Sequence, residues 1–450
     1  MKVEKTIARV AALAIAAYFL YFAIPALRAG FAPDDPMNMG FYWIRGFWGS
    51  VADMLRFWST AYRPMGAMFY LPVYAVFKLD PLPYRIAVLA LIAANIALSW
   101  RIADLFTGSK ATAALTAMLV TAHASMVAIY FNTSMIYDIL AYFFLALMLV
   151  CYFSFRRRGA ELSWWQSAVV VCAFVAALDS KELAVVGSGW VLAYEMLFHR
   201  PWRLRVPILL CLISIVYTLG KFLGPNPLAK SEGYLLEPTL HRYMVNNRVY
   251  LNDLFHSHFF DTSRKLVFAW LLLTAICWIA RKRELWWCWF FVSTATLGIS
   301  FTVDPRGQSG LYLPLMGWAI LVSILATGFF KKRLALQWGA AAILAMIAAH
   351  YTTRHWGDQP QLYAQLHQLT GSVITQLRDV GARPAPHSRV IFLKNPFADY
   401  DVEFIAMLLW NDHTLDIQLA NKLPQPPDLK TYQWVFTFDG DQLRVLKKPG

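Results

Sequence analysis

Hydrophobic segments of about 20 residues recur through the first part of the chain, and short polar stretches separate them. A helix of that length crosses the hydrocarbon core of a bilayer. Eleven such spans are predicted, near residues 7–27, 83–103, 111–131, 135–155, 164–179, 183–199, 206–223, 264–280, 285–303, 310–329 and 334–350. The pattern therefore predicts an all-α polytopic membrane protein whose transmembrane domain comprises residues 1–351.

The stretch between the first two spans, residues 28–82, is too polar to cross a membrane as a whole but is rich in aromatic and arginine side chains. Indole rings and guanidinium groups both find partners at the headgroup level of a bilayer. We expect an outer loop with interfacial helices here. The apolar piece 64–77 is expected to be interfacial or re-entrant, because a further crossing would break the charge pattern of the loops.

Residues 352–450 change in character, with shorter apolar runs and more frequent proline and charge. Helical periodicity and buried-strand patterns alternate in this part. The predicted elements are an amphipathic helix at 361–380, a strand at 389–393, a helix at 402–410, a strand at 431–437 and a hairpin turn at 438–441. They make a small C-terminal α/β domain, which the topology below places outside the cytoplasm.

Lysine and arginine cluster at every second loop of this threading, namely at 2–9, 101–110, 156–158, 200–205, 281–283 and 331–333. Cytoplasmic loops of membrane proteins carry an excess of these residues. Eleven spans therefore put the N-terminus in the cytoplasm and the C-terminal domain on the extracytoplasmic side. We expect a multi-pass protein of a bacterial inner membrane.

The composition agrees, because 58% of the residues are hydrophobic and only 15% are charged, which excludes a soluble globular protein. The formal net charge of +14 could indicate a protein that binds nucleic acid. The basic residues lie in short clusters between apolar segments rather than in one patch, so they report topology, and we predict no nucleic-acid partner.

Asp34 and Asp35 follow directly on the first span. Ionisable groups are costly in a membrane and indicate a functional site there. A carboxylate at the water boundary can remove a proton from an acceptor hydroxyl, and a neighbouring carboxylate raises its pKa. The alternative is that Asp35 is the N-cap of a helix with Pro36 at its first position, since both residue types are favoured there.

Three cations lie on the predicted outer side: Arg63, Lys181 and Arg306. Fixed positive charge there would stabilise a departing lipid phosphate. Each of them could instead be a membrane anchor or the partner of a nearby carboxylate. Lys181 is the strongest candidate, since it lies in a turn of about four residues between two spans. A turn that short fixes its height at the lipid surface and is expected to pair it with Asp179 and Glu182.

Asp138 begins the fourth span, and an ionisable group at that depth needs a partner. His123, near the outer end of the third span, is a supporting candidate whose alternative is a hydrogen-bonded core histidine. His256 and His258 lie in the long outer loop without a complete set of metal ligands. No cofactor is predicted, and a divalent metal is left open.

The order of these features resembles the GT-C superfamily of polyprenyl-phosphate-sugar glycosyltransferases, and within it the protein O-mannosyltransferase, TMTC and aminoarabinose transferase branches. The resemblance covers roughly residues 1–200. It rests on Asp34-Asp35, the aromatic interfacial stretch, Tyr62-Arg63-Pro64, His123, Asp138 and Ser180-Lys181-Glu182-Leu183-Ala184.

By this resemblance Asp34 is the acceptor base with Asp35 beside it, and Lys181 and Arg63 hold the lipid phosphate. The chain departs from the family at Ala124, where related chains tend to have proline, and before Asp138, where an arginine is usual.

The expected function is transfer of a hexosyl or pentosyl group from a polyprenyl-phosphate-linked sugar to a protein, lipid or glycan acceptor outside the cytoplasm, with inversion. An alternative enzyme is an O-antigen ligase or polymerase, for which Arg248, His256 and His258 would matter more. A non-enzymatic alternative is a lipid or glycan transporter, which predicts charges near the membrane midplane and two similar halves.

Overall fold

The computed structural model describes residues 2–59, 61–157, 161–224, 227, 235–330, 333–357, 359–397 and 402–448. Three basic residues used in the topology prediction, Arg158, Lys331 and Lys332, lie outside the described residues, as do parts of the outer loop between 224 and 262.

Helices occupy all eleven segments that were predicted as spans. In chain order the first α-helices are α1 (Lys2–Ala26), α2 (Asp34–Arg45), α3 (Phe47–Leu55), α4 (Gly66–Phe77), α5 (Pro81–Thr107), α6 (Lys110–Thr121), α7 (Val127–Phe131), α8 (Ile136–Arg156), α9 (Trp164–Ser180), α10 (Gly187–Phe198) and α11 (Arg205–Leu223). They are followed by α12 (Leu240–Phe255), α13 (Ser263–Ala280), α14 (Arg283–Thr294), α15 (Leu297–Ser300), α16 (Tyr312–Gly328), α17 (Leu334–Trp356), α18 (Gln359–Asp379) and α19 (Val402–Trp410).

Six of the described helices are long and apolar enough to cross a membrane singly, and the pair α6 and α7, bent by 52°, makes up to seven. The six are based on α1, α5, α8, α11, α13 and α17. The other predicted spans are shorter or interrupted. Helices α9 and α16 have 17 residues each. A 3₁₀ turn, Glu182–Val186, precedes α10, and α14 breaks before α15, so neither segment is one continuous helix.

The centre of the bundle is formed by α5, α6, α8 and α16, with α9 against α8 and α14 against α16 and α10. Large aromatic side chains fill the contact between α10 and α14. There, Trp190 of α10 stacks on Phe291 of α14 with ring centroids 3.7 Å apart. Both rings are fully buried. Ring pairs of this kind bury much apolar area and fix the separation of the two helices.

At the opposite end from Asp34, a buried ion pair joins α8 to α10. Arg156 donates to both carboxylate oxygens of Glu195 at 2.7 and 2.9 Å, and the hydroxyl of Tyr152 donates to the same group at 2.9 Å. Glu195 is fully buried. A buried charge pair is tolerated when every lone pair is satisfied, as it is here with the backbone N–H of Arg203.

The outer loop folds as three short helices. Helix α2 begins at Asp34 and ends at Arg45, and its C-cap is Gly46, whose φ of 72° suits glycine. Helix α3 exposes Trp48 and Leu55, as the interfacial prediction requires. Helix α4 has 12 residues, and at about 1.5 Å per residue it is too short to cross a bilayer.

The C-terminal part contains a four-stranded sheet in the order β2-β1-β3-β4, formed by β1 (Arg389–Phe392), β2 (Asp416–Leu419), β3 (Trp434–Asp439) and β4 (Gln442–Lys447). Strand β1 pairs in parallel with β2 and β3, and β3 pairs antiparallel with β4. The all-α bundle with a small C-terminal α/β domain is therefore confirmed. Strand β2 was missed, because four residues with two polar side chains give no strand signal.

Helix α19 docks this domain onto α2. Phe404 packs edge-on against Phe41 with ring centroids 5.0 Å apart, and it lies so close to Gly40 that a Cβ there would meet its ring at 2.7 Å. The hydroxyl of Tyr74 in α4 donates to the carbonyl of Leu408 at 2.7 Å. The domain thus supports the helix that carries Asp34 and Asp35.

Candidate active site

A cavity of about 740 Å³ lies between the outer loop and the ends of several bundle helices. Its wall is formed by α2, the links from α7 to α8 and from α9 to α10, the last turn of α11, and the segment from α15 to α16. Of the eight predicted site residues, six line this cavity: Asp34, Arg63, Asp138, Lys181, Glu182 and Arg306. The sequence prediction placed these residues on one face, and the structure brings them to one cavity.

The two adjacent aspartates have different surroundings. Asp34 lines the cavity, whereas Asp35 is fully buried behind it. Burial raises the pKa of Asp34, and the Ser134 hydroxyl and the charge of Arg85 offset this only in part. A carboxylate with a raised pKa is a better proton acceptor than an exposed one.

Asp35 is held by groups of the protein. Its oxygens accept from the backbone N–H of Ala32 at 2.9 Å and from the Tyr70 hydroxyl at 3.3 Å. Arg85, also fully buried, donates to the carbonyl of Gly30 at 2.6 Å. Burial and the neighbouring Asp34 raise the pKa of Asp35 well above its usual range. The alternative in which Asp35 is the N-cap is wrong, because α2 begins at Asp34, its N-cap is Pro33 and no side chain caps it. Asp35 instead accepts from the preceding Ala32 and fixes the turn that presents Asp34.

Arg63 is held from both its backbone and its side chain. Its φ is 45°, a region that residues other than glycine rarely adopt, so the surroundings must hold it there. Its carbonyl accepts from the Tyr42 hydroxyl at 2.8 Å and from the N–H of Gly66 at 3.0 Å. Its guanidinium group donates to both oxygens of Glu182 at 3.0 and 3.1 Å.

Aromatic rings complete the surroundings of this guanidinium group. It lies 4.5 Å from the ring centroid of Tyr62 and 5.2 Å from that of Tyr137. A cation over an aromatic face is attracted electrostatically by the ring, and this attraction offsets part of the free energy that it costs to remove the cation from water. Burial alone would raise the pKa of Glu182, but the charges of Arg63 and Lys181 hold it below its ordinary value. Glu182 is therefore ionised and keeps Arg63 in place.

Lys181 forms an ion pair with Asp138 across the cavity wall. The two residues are 43 positions apart in the chain, on the link after α9 and in the first turn of α8. An ionisable group at the depth of Asp138 needs a partner of opposite charge, and Lys181 is that partner.

Helix α12 lies behind the cavity wall and holds the segment from α15 to Arg306, which lines the cavity. The side-chain amide of Asn246 donates to the carbonyls of Ser300 and Thr302 at 3.0 and 2.8 Å. The hydroxyl of Tyr250 donates to the carbonyl of Ile299 at 3.0 Å and accepts from the N–H of Arg306 at 3.1 Å. These bonds shape the irregular chain that brings Arg306 to the cavity.

Lys221 is a further cation of the cavity that the sequence analysis missed. It lies in the last turn of α11, inside a segment that was predicted as an uninterrupted apolar span. A lysine near the C-terminal end of such a span was the available signal.

His123 does not line the cavity. Its Nε2 donates to the carbonyl of Leu254 at 2.9 Å, its Nδ1 accepts from the N–H of Ser125 at 3.3 Å, and its ring stacks on His256 with centroids 4.6 Å apart. This is the hydrogen-bonded core histidine of the alternative interpretation. His258 is exposed, and Arg248 donates to the carbonyl of Phe260 at 3.2 Å.

The residues of the ligase alternative, Arg248, His256 and His258, are likewise absent from the cavity wall as the structure describes it. Across the described ranges, no three His, Cys, Asp or Glu side chains are grouped as ligands of a metal ion. The C-terminal domain packs on α2 through α19, and none of its described residues lines the cavity.

Comparison with solved structures shows a similarity of fold over nearly the whole chain. ArnT from Cupriavidus metallidurans, in a crystal structure bound to undecaprenyl phosphate, matches with a TM-score of 0.54 over 95% of this chain and 93% of that chain. The chain therefore shares the overall fold of ArnT. The two sequences are 13% identical, so the similarity is one of fold. No model of a protein family matches the sequence, and no curated protein matches it significantly.

The fold shared with ArnT agrees with the all-helical membrane architecture that the order of motifs implied. A carboxylate and several cations line the cavity together with apolar side chains, which include Leu183, Val186 and Phe222. Such a site can hold an amphipathic molecule with a phosphate group and can accept a proton beside it.

Proposed function

We propose that the protein is a membrane glycosyltransferase that moves a hexosyl or pentosyl group from a polyprenyl-phosphate carrier to an extracytoplasmic protein, lipid or glycan. The main support is the meeting of Asp34 with Arg63 and Lys181 on the wall of one cavity. The GT-C fold, shared with ArnT bound to undecaprenyl phosphate, adds support for the carrier.

In the proposed reaction the carboxylate of Asp34 accepts the proton of an acceptor hydroxyl. The acceptor oxygen forms a bond to the anomeric carbon of the sugar as the bond from that carbon to the phosphate oxygen breaks. The polyprenyl phosphate leaves with the electron pair and gains one negative charge. Attack from the side opposite the leaving group inverts the anomeric carbon.

The cations Arg63, Lys181 and Arg306 bind the phosphate and stabilise the charge that develops on it. Glu182 and Asp138 fix the first two in position through the ion pairs described above. Asp35 is a positioning residue, since it contacts the protein and not the cavity. Fixed charges of this kind need no rearrangement during the reaction, which is what makes them effective.

The proposal places the cavity on the extracytoplasmic side, with the N-terminus in the cytoplasm. Support comes from the basic clusters at alternate loops and from exposed aromatic side chains on α3, among them Trp48. Aromatic rings of this kind are enriched where a membrane meets water.

The test uses membranes that contain the full-length protein, incubated with a panel of radiolabelled polyprenyl-phosphate sugars. We expect Asp34→Asn to lower the consumption of lipid-linked sugar by about 100-fold or more, because a general base contributes about 10²–10⁴-fold. Asp35→Asn is expected to lower it less, because asparagine retains an oxygen that accepts from Ala32. The matched control is Asp439→Asn, an exposed carboxylate far from the cavity.

Equal consumption by the wild type and by Asp34→Asn would rule out Asp34 as the base. Movement of a glycolipid across the bilayer without cleavage of any lipid-linked sugar would favour the transporter alternative.

A further inference from the structure

We propose that Lys221 binds the phosphate group of the lipid carrier and that the carrier reaches the cavity beside α11. This inference rests on the proposed function and deepens it. It assigns a role to a residue that neither the order of motifs nor the resemblance to GT-C enzymes had indicated.

The first support is the state of the other cations. Arg63 shares its charge with Glu182, and Lys181 shares its charge with Asp138. Within the part of the chain that the structure describes, Lys221 forms no ion pair with a carboxylate. Its ammonium group donates one hydrogen bond, to the carbonyl of Ala61 at 2.6 Å. An ammonium group has three donors, so two remain for a ligand.

The second support is the balance of charge in the cavity. Its described wall carries four cations and three carboxylates, namely Arg63, Lys181, Lys221 and Arg306 against Asp34, Asp138 and Glu182. One positive charge remains when all seven are ionised. A sugar linked through a phosphodiester carries one negative charge, so the cavity would be neutral with the donor bound. Lys221 contributes to that surplus, because its ammonium group contacts a carbonyl and the ring of Tyr217, 5.3 Å away, and no carboxylate within ion-pair distance among the described residues.

The third support is the position of α11. Tyr217, Thr218 and Phe222 line the cavity beside Lys221. The other face of the same helix exposes Ile215, Leu219 and Leu223, the last of them at 78%. A helix of this composition faces lipid on its exposed side. Lys221 therefore stands where lipid meets the cavity, at the level at which a carrier phosphate would enter while its prenyl chain stays among apolar groups.

If Lys221 had only a structural role, its variants would behave differently from those of a residue that binds phosphate. Its bond to Ala61 supports the chain that leads to Arg63, and losing it would disturb the cavity indirectly. Lys221→Gln keeps an N–H donor for that carbonyl but removes the charge. Lys221→Met removes both, and Lys221→Arg keeps both. The glutamine variant therefore separates the two roles.

The experiment measures binding of undecaprenyl phosphate, which carries no sugar, to the full-length protein in nanodiscs. Undecaprenol is the probe without phosphate, and inorganic phosphate is the probe without lipid. We expect Lys221→Gln and Lys221→Met to weaken binding of undecaprenyl phosphate by about 10- to 100-fold, as for a lost hydrogen bond to a charged group. Lys221→Arg is expected to bind within about threefold of wild type, and undecaprenol to bind all variants alike.

The matched control is Lys265→Gln, an exposed lysine outside the cavity, which should bind as the wild type does. Wild-type affinity in Lys221→Gln would overturn the assignment of Lys221 and leave the proposed function standing. Equal affinity for inorganic phosphate and for undecaprenyl phosphate would also overturn it, in favour of a free-phosphate site. A wild type that does not prefer undecaprenyl phosphate to undecaprenol would overturn both proposals.

Discussion

Gly66, the first residue of α4, is the position at which a single methyl group should damage the site most selectively. A Cβ added there would lie 2.5 Å from the hydroxyl oxygen of Tyr42 and 2.6 Å from the ring of Tyr137. Both tyrosines are buried, so neither can move into solvent. Ordinary contacts begin near 3.4 Å, and Gly66→Ala therefore requires a shift of about 1 Å.

That shift acts on Arg63, because Tyr42 donates to its carbonyl at 2.8 Å. Arg63 holds a left-handed backbone conformation that depends on such contacts. Overpacking of a buried site costs about 1–3 kcal/mol of stability. A displacement of about 1 Å in a positioning group costs roughly 100-fold in rate. We therefore expect Gly66→Ala to lower kcat by about that factor while the protein stays folded.

The assay is turnover of lipid-linked sugar in membranes, together with a thermal melt of the purified protein. Gly339→Ala is the control, since this glycine lies in α17 with open space around its Cβ position. Tyr42→Phe removes the hydrogen bond without a clash and should have a smaller effect, about 10-fold. If Gly66→Ala were as active and as stable as Gly339→Ala, the claim that these tyrosines hold Arg63 would be wrong.

Two further predictions concern pH and the bundle. Burial raises the pKa of Asp34, and a general base must be ionised to act. On acidification, kcat/KM should therefore begin to fall at a pH above the ordinary pKa range of aspartate. A pH–rate profile that falls only within that ordinary range would contradict this. Glu195→Gln leaves Arg156 buried without a counter-charge and should cost about 3 kcal/mol of stability, seen as a lower melting temperature. Glu237→Gln, which breaks an exposed pair with Arg242, should leave the melting temperature unchanged.

Much of the fold followed from local sequence. Apolar length located every bundle helix, because a segment of about 20 apolar residues has few other stable states in a membrane. The helix at 402–410 and the hairpin turn at Gly440 were also predicted from local pattern. The breaks after Lys181 and after Thr294 were not, since they depend on packing against other parts of the chain.

The candidate site was predictable as a set of residue types on one side of the membrane, but its internal pairing was not. Glu182 pairs with Arg63 across 119 positions, and Lys181 pairs with Asp138 across 43. The prediction from sequence neighbours, that Lys181 pairs with Asp179 and Glu182, was wrong, because the partner Asp138 comes from another helix. The sequence did not show that Asp35 and His123 lie outside the cavity wall, because each is held by a partner that is distant in the chain. Asp35 accepts from Tyr70, and His123 bonds to the carbonyl of Leu254.

The most direct test of the account is a structure of the full-length protein with undecaprenyl phosphate bound in nanodiscs. The account predicts density for the phosphate within ion-pair distance of Lys221 and of Lys181 or Arg63, on the same side of the bilayer as Asp34, with the prenyl chain leaving beside α11. Density for the phosphate outside this cavity, or on the opposite membrane face from Asp34, would contradict it.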